Sequence, residues 1–104
     1  MSQFDVFENP DDKTNQSVPY LLDVQSDLLD NLATRVVVPL IAAPAMGRAI
    51  KYLNPEFSIK NNPVFMSTAE LAGIPARSLG EKVGSLIEKR DEIIGALDFI
   101  FTGF

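Results

Sequence analysis

One run of seven residues limits the fold more than any other: Thr34-Arg35-Val36-Val37-Val38-Pro39-Leu40. Consecutive β-branched valines lose less side-chain freedom in a strand than in a helix. The run therefore predicts a β-strand, and any architecture for this chain must contain sheet. Pro39 has no N–H to give to a ladder, so it marks an edge, a bulge or the end of that strand.

Other strands follow from shorter patterns. Phe4-Asp5-Val6-Phe7 alternates, with Phe4 and Val6 on one side and Phe7 on the other. Pro19 to Val24 reads as a second strand, reached through a polar loop from Asn9 to Ser17. Leu28 to Asn31 reads as a turn before the valine run. Ala42 to Ile50 is a connection with a helical turn, broken by Pro44 and Gly47. Phe57 to Lys60 and Pro63 to Ser67 form a hairpin, with Asn61-Asn62 as its turn because Asn tolerates positive φ. Thr68 to Gly73 connects to a short strand at Ile74 to Arg77. Leu79-Gly80 is a turn, and Glu81 to Val83 a last short strand.

The chain then changes period. From about Glu88 to Phe101, apolar residues recur at helical spacing: Ile93, Leu97, Ile100 and Phe104, with Ile94 and Phe101 beside them. Ser85 followed by Glu88 resembles a capping box, and Gly103 is placed to end the helix. Strands followed by one terminal amphipathic helix predict an α+β domain. The 104 residues, 46% of them hydrophobic, fit a single domain over residues 1–104.

Composition removes whole classes of chemistry. The chain has no cysteine and no histidine. Disulfides, thiolate or imidazole zinc sites, Ser-His-Asp triads and Cys-His pairs are excluded. Fourteen acidic residues against nine basic ones give a net charge of −5, with Lys89-Arg90 the one adjacent basic pair. That balance disfavours direct nucleic-acid binding, which rests on a basic patch. The start of the chain lacks a signal-peptide pattern, and no apolar run reaches the ~20 residues of a membrane span. A cytoplasmic protein with no cofactor is expected.

A few residues stand out as candidates for function. Asp91, Gly95, Asp98 and Thr102 share one helix face, which reads either as a solvated stripe or as a contact. Gly95 is unusual there, since a mid-helix glycine costs ~1 kcal/mol relative to alanine. Phe99 lies about 200° around the helix from Phe101, so Phe99, Phe101 and Phe104 cannot all face one core. At least one is open to a partner. Leu28-Leu29, set between Asp27 and Asp30, is hard to bury as a pair; one leucine can point inward while the other is exposed. Asp23, Asp27 and Asp30 read as solvated turn acids or a weak cation site without an EF-hand pattern.

The string Asp23-Val24-Gln25-Ser26-Asp27-Leu28-Leu29-Asp30 resembles the most characteristic stretch of the CcdB family of toxins. Thr34 to Leu40 is similar to that family's next strand. Leu53-Asn54-Pro55, Met66-Ser67-Thr68, Ala72-Gly73-Ile74-Pro75 and Leu79-Gly80-Glu81 fit the segments that follow, and Phe99 to Phe104 resembles its C-terminal sequence. The likeness runs from about Phe4 to Phe104. It implies an SH3-like antiparallel barrel with a small extra sheet and a C-terminal helix. It also implies a homodimer that binds the GyrA subunit of DNA gyrase, traps the enzyme on cleaved DNA, and is released by a CcdA-like antitoxin. Toxin and antitoxin together would repress their own operon, the toxin touching DNA only through that complex. By position, the resemblance assigns gyrase contact to Leu28, Leu29, Asp98, Phe101, Thr102, Gly103 and Phe104, with no catalytic residue and no metal. The family pattern has Trp where this chain has Thr102, and commonly Ile where it has Phe104. Two other readings stay open: a MazF-like endoribonuclease on the same fold, using Arg35 and Thr34, and a homologue that binds antitoxin but poisons nothing.

Overall fold

The computed structural model describes residues 1–103. Its elements are β1 (Asp5–Glu8), β2 (Tyr20–Asp23), β3 (Thr34–Ala42), β4 (Glu56–Ile59), β5 (Asn62–Met66), β6 (Ala72–Pro75), β7 (Lys82–Ser85) and α1 (Arg90–Thr102). The nine-residue β3 contains the valine run and is the spine of an antiparallel sheet ordered β4-β5-β3-β2-β1-β7. One edge of β3 pairs with β2, Tyr20 opposite Leu40 and Asp23 opposite Val37. The other edge is shared. Thr34–Val37 faces β6, and Leu40–Ala42 faces β5. The described strands form one sheet, in which β6 branches off the main order by pairing with β3.

Pro39 sits where that shared edge changes partner. The Val24 N–H donates to the Val36 carbonyl at 3.0 Å, so Val36 turns its backbone toward β2. Backbone direction alternates along a strand, and Pro39, three residues on, turns its own toward the other edge. There its carbonyl accepts the Ser67 N–H at 2.9 Å, between the end of β5 and the start of β6. The missing N–H costs no bond to β2, which is why a proline is tolerated inside this strand.

The sheet curls around one core. Phe4, Val6, Leu22, Val38, Leu40, Phe57, Val64, Met66 and Leu86 are buried together, so residues of β4 and of the segment after β7, the two ends of the sheet, meet in the same cluster. Phe7 is buried outside that cluster, as the alternation in the first strand predicts. Gly80 is fixed by close approach: its N–H donates to the Glu8 carbonyl at 3.0 Å, and a Cβ would lie 2.6 Å from that oxygen.

α1 covers the open face of the curl with Ile93 and Ala96 fully buried and Ile94 and Leu97 half-buried. The expected inner stripe is corrected at its end. Ile100 lies on that stripe but one turn beyond the last buried residue, and Phe101 is 69% exposed, so the helix outruns the core. Its start is also later than expected. Ser85 Oγ accepts the Ile87 N–H at 3.2 Å, and the chain makes a 3-10 turn over Ile87–Lys89 before α1 begins at Arg90.

The β4–β5 hairpin turns at Lys60-Asn61 and not at Asn61-Asn62. Ile59 pairs with Asn62, which leaves a two-residue loop with φ of 51° and 65°. Both positions of such a turn need positive φ, which Asn takes readily and Lys does not. Replacing the pair by Asn-Gly (Lys60→Asn with Asn61→Gly) relieves the left-handed strain and should stabilise the fold by about 1 kcal/mol, read as a rise of a few degrees in Tm by thermal denaturation.

Candidate partner-docking site

The acidic string between β2 and β3 is densely hydrogen-bonded. Asp23 and Arg35 are buried, and Arg35 Nε donates to Asp23 Oδ2 at 2.8 Å. Nη2 approaches the same oxygen at 2.6 Å, and Nη1 donates to Asp30 Oδ1 at 3.0 Å. The other Asp23 oxygen accepts the Gln25 N–H at 2.9 Å. The Gln25 amide reaches both ways: Nε2 donates to the Leu29 carbonyl at 2.8 Å, while Oε1 accepts the Val36 N–H at 3.0 Å. Ser26 Oγ accepts the Leu28 N–H at 3.2 Å, and Asp27 Oδ1 accepts the Gln3 N–H at 2.8 Å.

Every hydrogen-bonding side chain from Asp23 to Asp30 is thereby tied to the fold. The two leucines are not. Asp27–Leu29 forms a 3-10 turn that holds Leu28 at 93% exposure and Leu29 at 50%. Neither leucine is buried, so the reading in which one points inward does not hold. The acids are not free turn carboxylates either. Their signal in the sequence was Arg35 itself, since an arginine within an apolar strand needs a carboxylate partner.

Burial raises the Asp23 pKa above its ordinary 3.8, against the pull of the Gln25 N–H and of Arg35. With the folded value raised, the contribution of this group to stability is complete below pH 3.8 and is lost as pH rises through the folded value. Acid does not unfold the loop through Asp23.

Leu29 and Phe101 come together from distant parts of the chain. With Val24, Leu71 and Leu97 they line a shallow, mostly apolar groove of about 260 Å³. Asp98 and Thr102 are exposed beside it, within roughly 100° of arc from Phe101. The Thr102 hydroxyl donates back to the Asp98 carbonyl at 2.7 Å. Gly103 ends α1 in the left-handed region, φ 81°, its N–H donating to the Phe99 carbonyl at 2.9 Å. Phe104 lies outside the described residues. The structure therefore joins Leu29 to Phe101, sets Leu28 at the rim, and runs the surface on to Asp98, Thr102 and Gly103.

Arg35 is corrected as a nucleic-acid contact. It is 1% exposed and held by two carboxylates, so it has no face to offer RNA. Among the described residues no cluster of three or more His, Cys, Asp or Glu is placed to hold a metal, and no helix is long and apolar enough to cross a membrane. Gln25 was missed as a positioning residue. Its two opposed contacts, to Leu29 and to Val36, leave no mark in local sequence.

The family model described as CcdB protein matches residues 3–103 of the chain.

Arg35→Met should destabilise the protein by about 3–5 kcal/mol, because it leaves a buried carboxylate without its partner. Denaturant unfolding measures this, and adding Asp23→Leu to that variant should recover most of the loss. Carbon-13 NMR titration of the wild type should place the Asp23 midpoint above 3.8, and that of Arg35→Met higher still.

Proposed function

The chain belongs to the CcdB family, a family of toxins from toxin–antitoxin systems, and from that premise we propose that it acts by docking on the GyrA subunit of DNA gyrase and trapping the enzyme on cleaved DNA. The observation that carries the reading is the groove that Leu29 shares with Phe101 of α1, with Leu28 held outward beside it by a fully bonded loop. Interfaces of this kind draw most of their energy from a few apolar and aromatic anchors. Leu28, Leu29 and Phe101 are such anchors. Asp98 and Thr102 supply the polar rim, and Gly103 lets the chain end approach the partner backbone. The family resemblance adds Phe104, the next residue in the sequence, to these contacts.

Nothing in this mechanism requires a covalent step by the toxin. Gyrase cuts the DNA, and the toxin stabilises the cut state by binding it in preference to the resealed one. The working form is a homodimer in the cytoplasm. A CcdA-like antitoxin removes it from gyrase, and the toxin–antitoxin complex represses the operon.

The test is a gyrase cleavage assay with purified protein, which should yield gyrase-dependent linear DNA. Active gyrase with no linear product at any toxin concentration would refute the proposal. Leu28→Asp should leave Tm nearly unchanged, because that side chain is 93% exposed, and should raise the concentration needed for cleavage at least tenfold. Truncation after Phe101 should abolish toxicity in growing cells while leaving a folded dimer. Thr102→Trp should strengthen poisoning, since an indole can stack on a partner guanidinium for ~0.5–2 kcal/mol that a threonine cannot supply.

A further inference from the structure

On the opposite flank of α1 lies a larger groove of about 540 Å³, lined by Tyr52, Pro55, Asp91, Glu92, Gly95 and Phe99. Its mean direction around the helix is roughly 150° from that of Leu97 and Phe101, with Asp98 and Thr102 on the strip of helix surface between the two grooves. We propose that it is a second docking site, which takes an arginine-bearing apolar segment of a partner polypeptide. The proposal does not rest on the gyrase reading.

The volume falls within the roughly 300–1,000 Å³ range of pockets that enclose small ligands or side chains. The lining combines two aromatic rings and a proline with two carboxylates, and its only charged residues are acidic. Among the described residues neither Asp91 nor Glu92 is in an ion pair. An arginine suits this combination: its stem and planar head lie on aromatic faces while the guanidinium meets carboxylates. The Tyr52 ring already receives a cation, since Lys51 Nζ stands 5.0 Å from its centroid.

Packing within the chain does not account for two features of the groove. Gly95 lies within α1, and a Cβ built there would meet nothing within 4 Å, so no internal contact requires a glycine. What the missing Cβ leaves is open groove floor. Tyr52 is a large, 69% exposed side chain on a backbone with φ 69°, a region bulky residues avoid. Its connection is nevertheless well anchored. The Thr68 hydroxyl donates to the Leu53 carbonyl, and the Asn54 amide donates to the Met66 carbonyl at 3.0 Å while accepting the Ile50 N–H.

The test is an NMR titration of the full chain with a synthetic acetyl-Ala-Leu-Arg-Leu-Ala-amide peptide and its citrulline counterpart, which keeps the shape and removes the charge. The arginine peptide should give saturable shifts at the amides of Tyr52, Asp91, Gly95 and Phe99, and the citrulline peptide at least fivefold weaker ones. Gly95→Ala should melt at the same or a higher temperature, yet bind at least fivefold more weakly. Asp91→Asn with Glu92→Gln should remove the preference for arginine. Equal response to both peptides, no saturable shift, or unchanged binding by Gly95→Ala would overturn the proposal. So would shifts at the same amides on concentrating the protein alone, which would assign the groove to a second copy of the chain.

Discussion

The buried pair of Asp23 and Arg35 organises everything around it. A charge placed inside a sheet is tolerated only where an opposite charge and directed hydrogen bonds meet it. Arg35 is met by Asp23 from the end of β2 and by Asp30 from the loop, so one guanidinium fixes two points of the connection at once. Asp23 in turn holds the Gln25 N–H, and Gln25 spans from Leu29 to Val36. Such a pair adds little net stability compared with a well-packed apolar alternative. Its effect is to leave this loop one arrangement, with the leucines outward.

How far this was readable from the sequence depended on the range of the interactions. Local ones were plain: the valine run, the terminal helix, the glycine at its end. The hairpin turn was displaced by one residue because Asn61-Asn62 offers the better pair of turn residues, yet register with β3 places the loop at Lys60-Asn61. The helix was given too long an inner face. Period alone says which side of a helix is apolar, and only the extent of the sheet says where along its length burial stops. Leu28 and Leu29 could be singled out by pattern. That both face outward required knowing that Asp27 and Asp30 are engaged elsewhere, by Gln3 and Arg35.

α1 serves three directions with thirteen residues. Ile93 and Ala96 close the core. Leu97 and Phe101 border the groove with Leu29, and Gly95 and Phe99 border the one with Tyr52. Substitutions a single position apart therefore act on different properties of the molecule: the fold, one contact surface or the other.

Pro39 has an effect beyond its own strand. Because it offers no hydrogen atom at the point where β3 changes partner, β5 and β6 cannot be continued into one another along that edge. The intervening chain leaves the ladder, makes a 3-10 turn at Thr68–Glu70 capped by Leu71, and rejoins β3 at Ala72. Leu71 lines the groove together with Leu97 and Phe101. A surface recess that a partner could enter is thus shaped, several residues away, by an interruption in the hydrogen bonding of the spine.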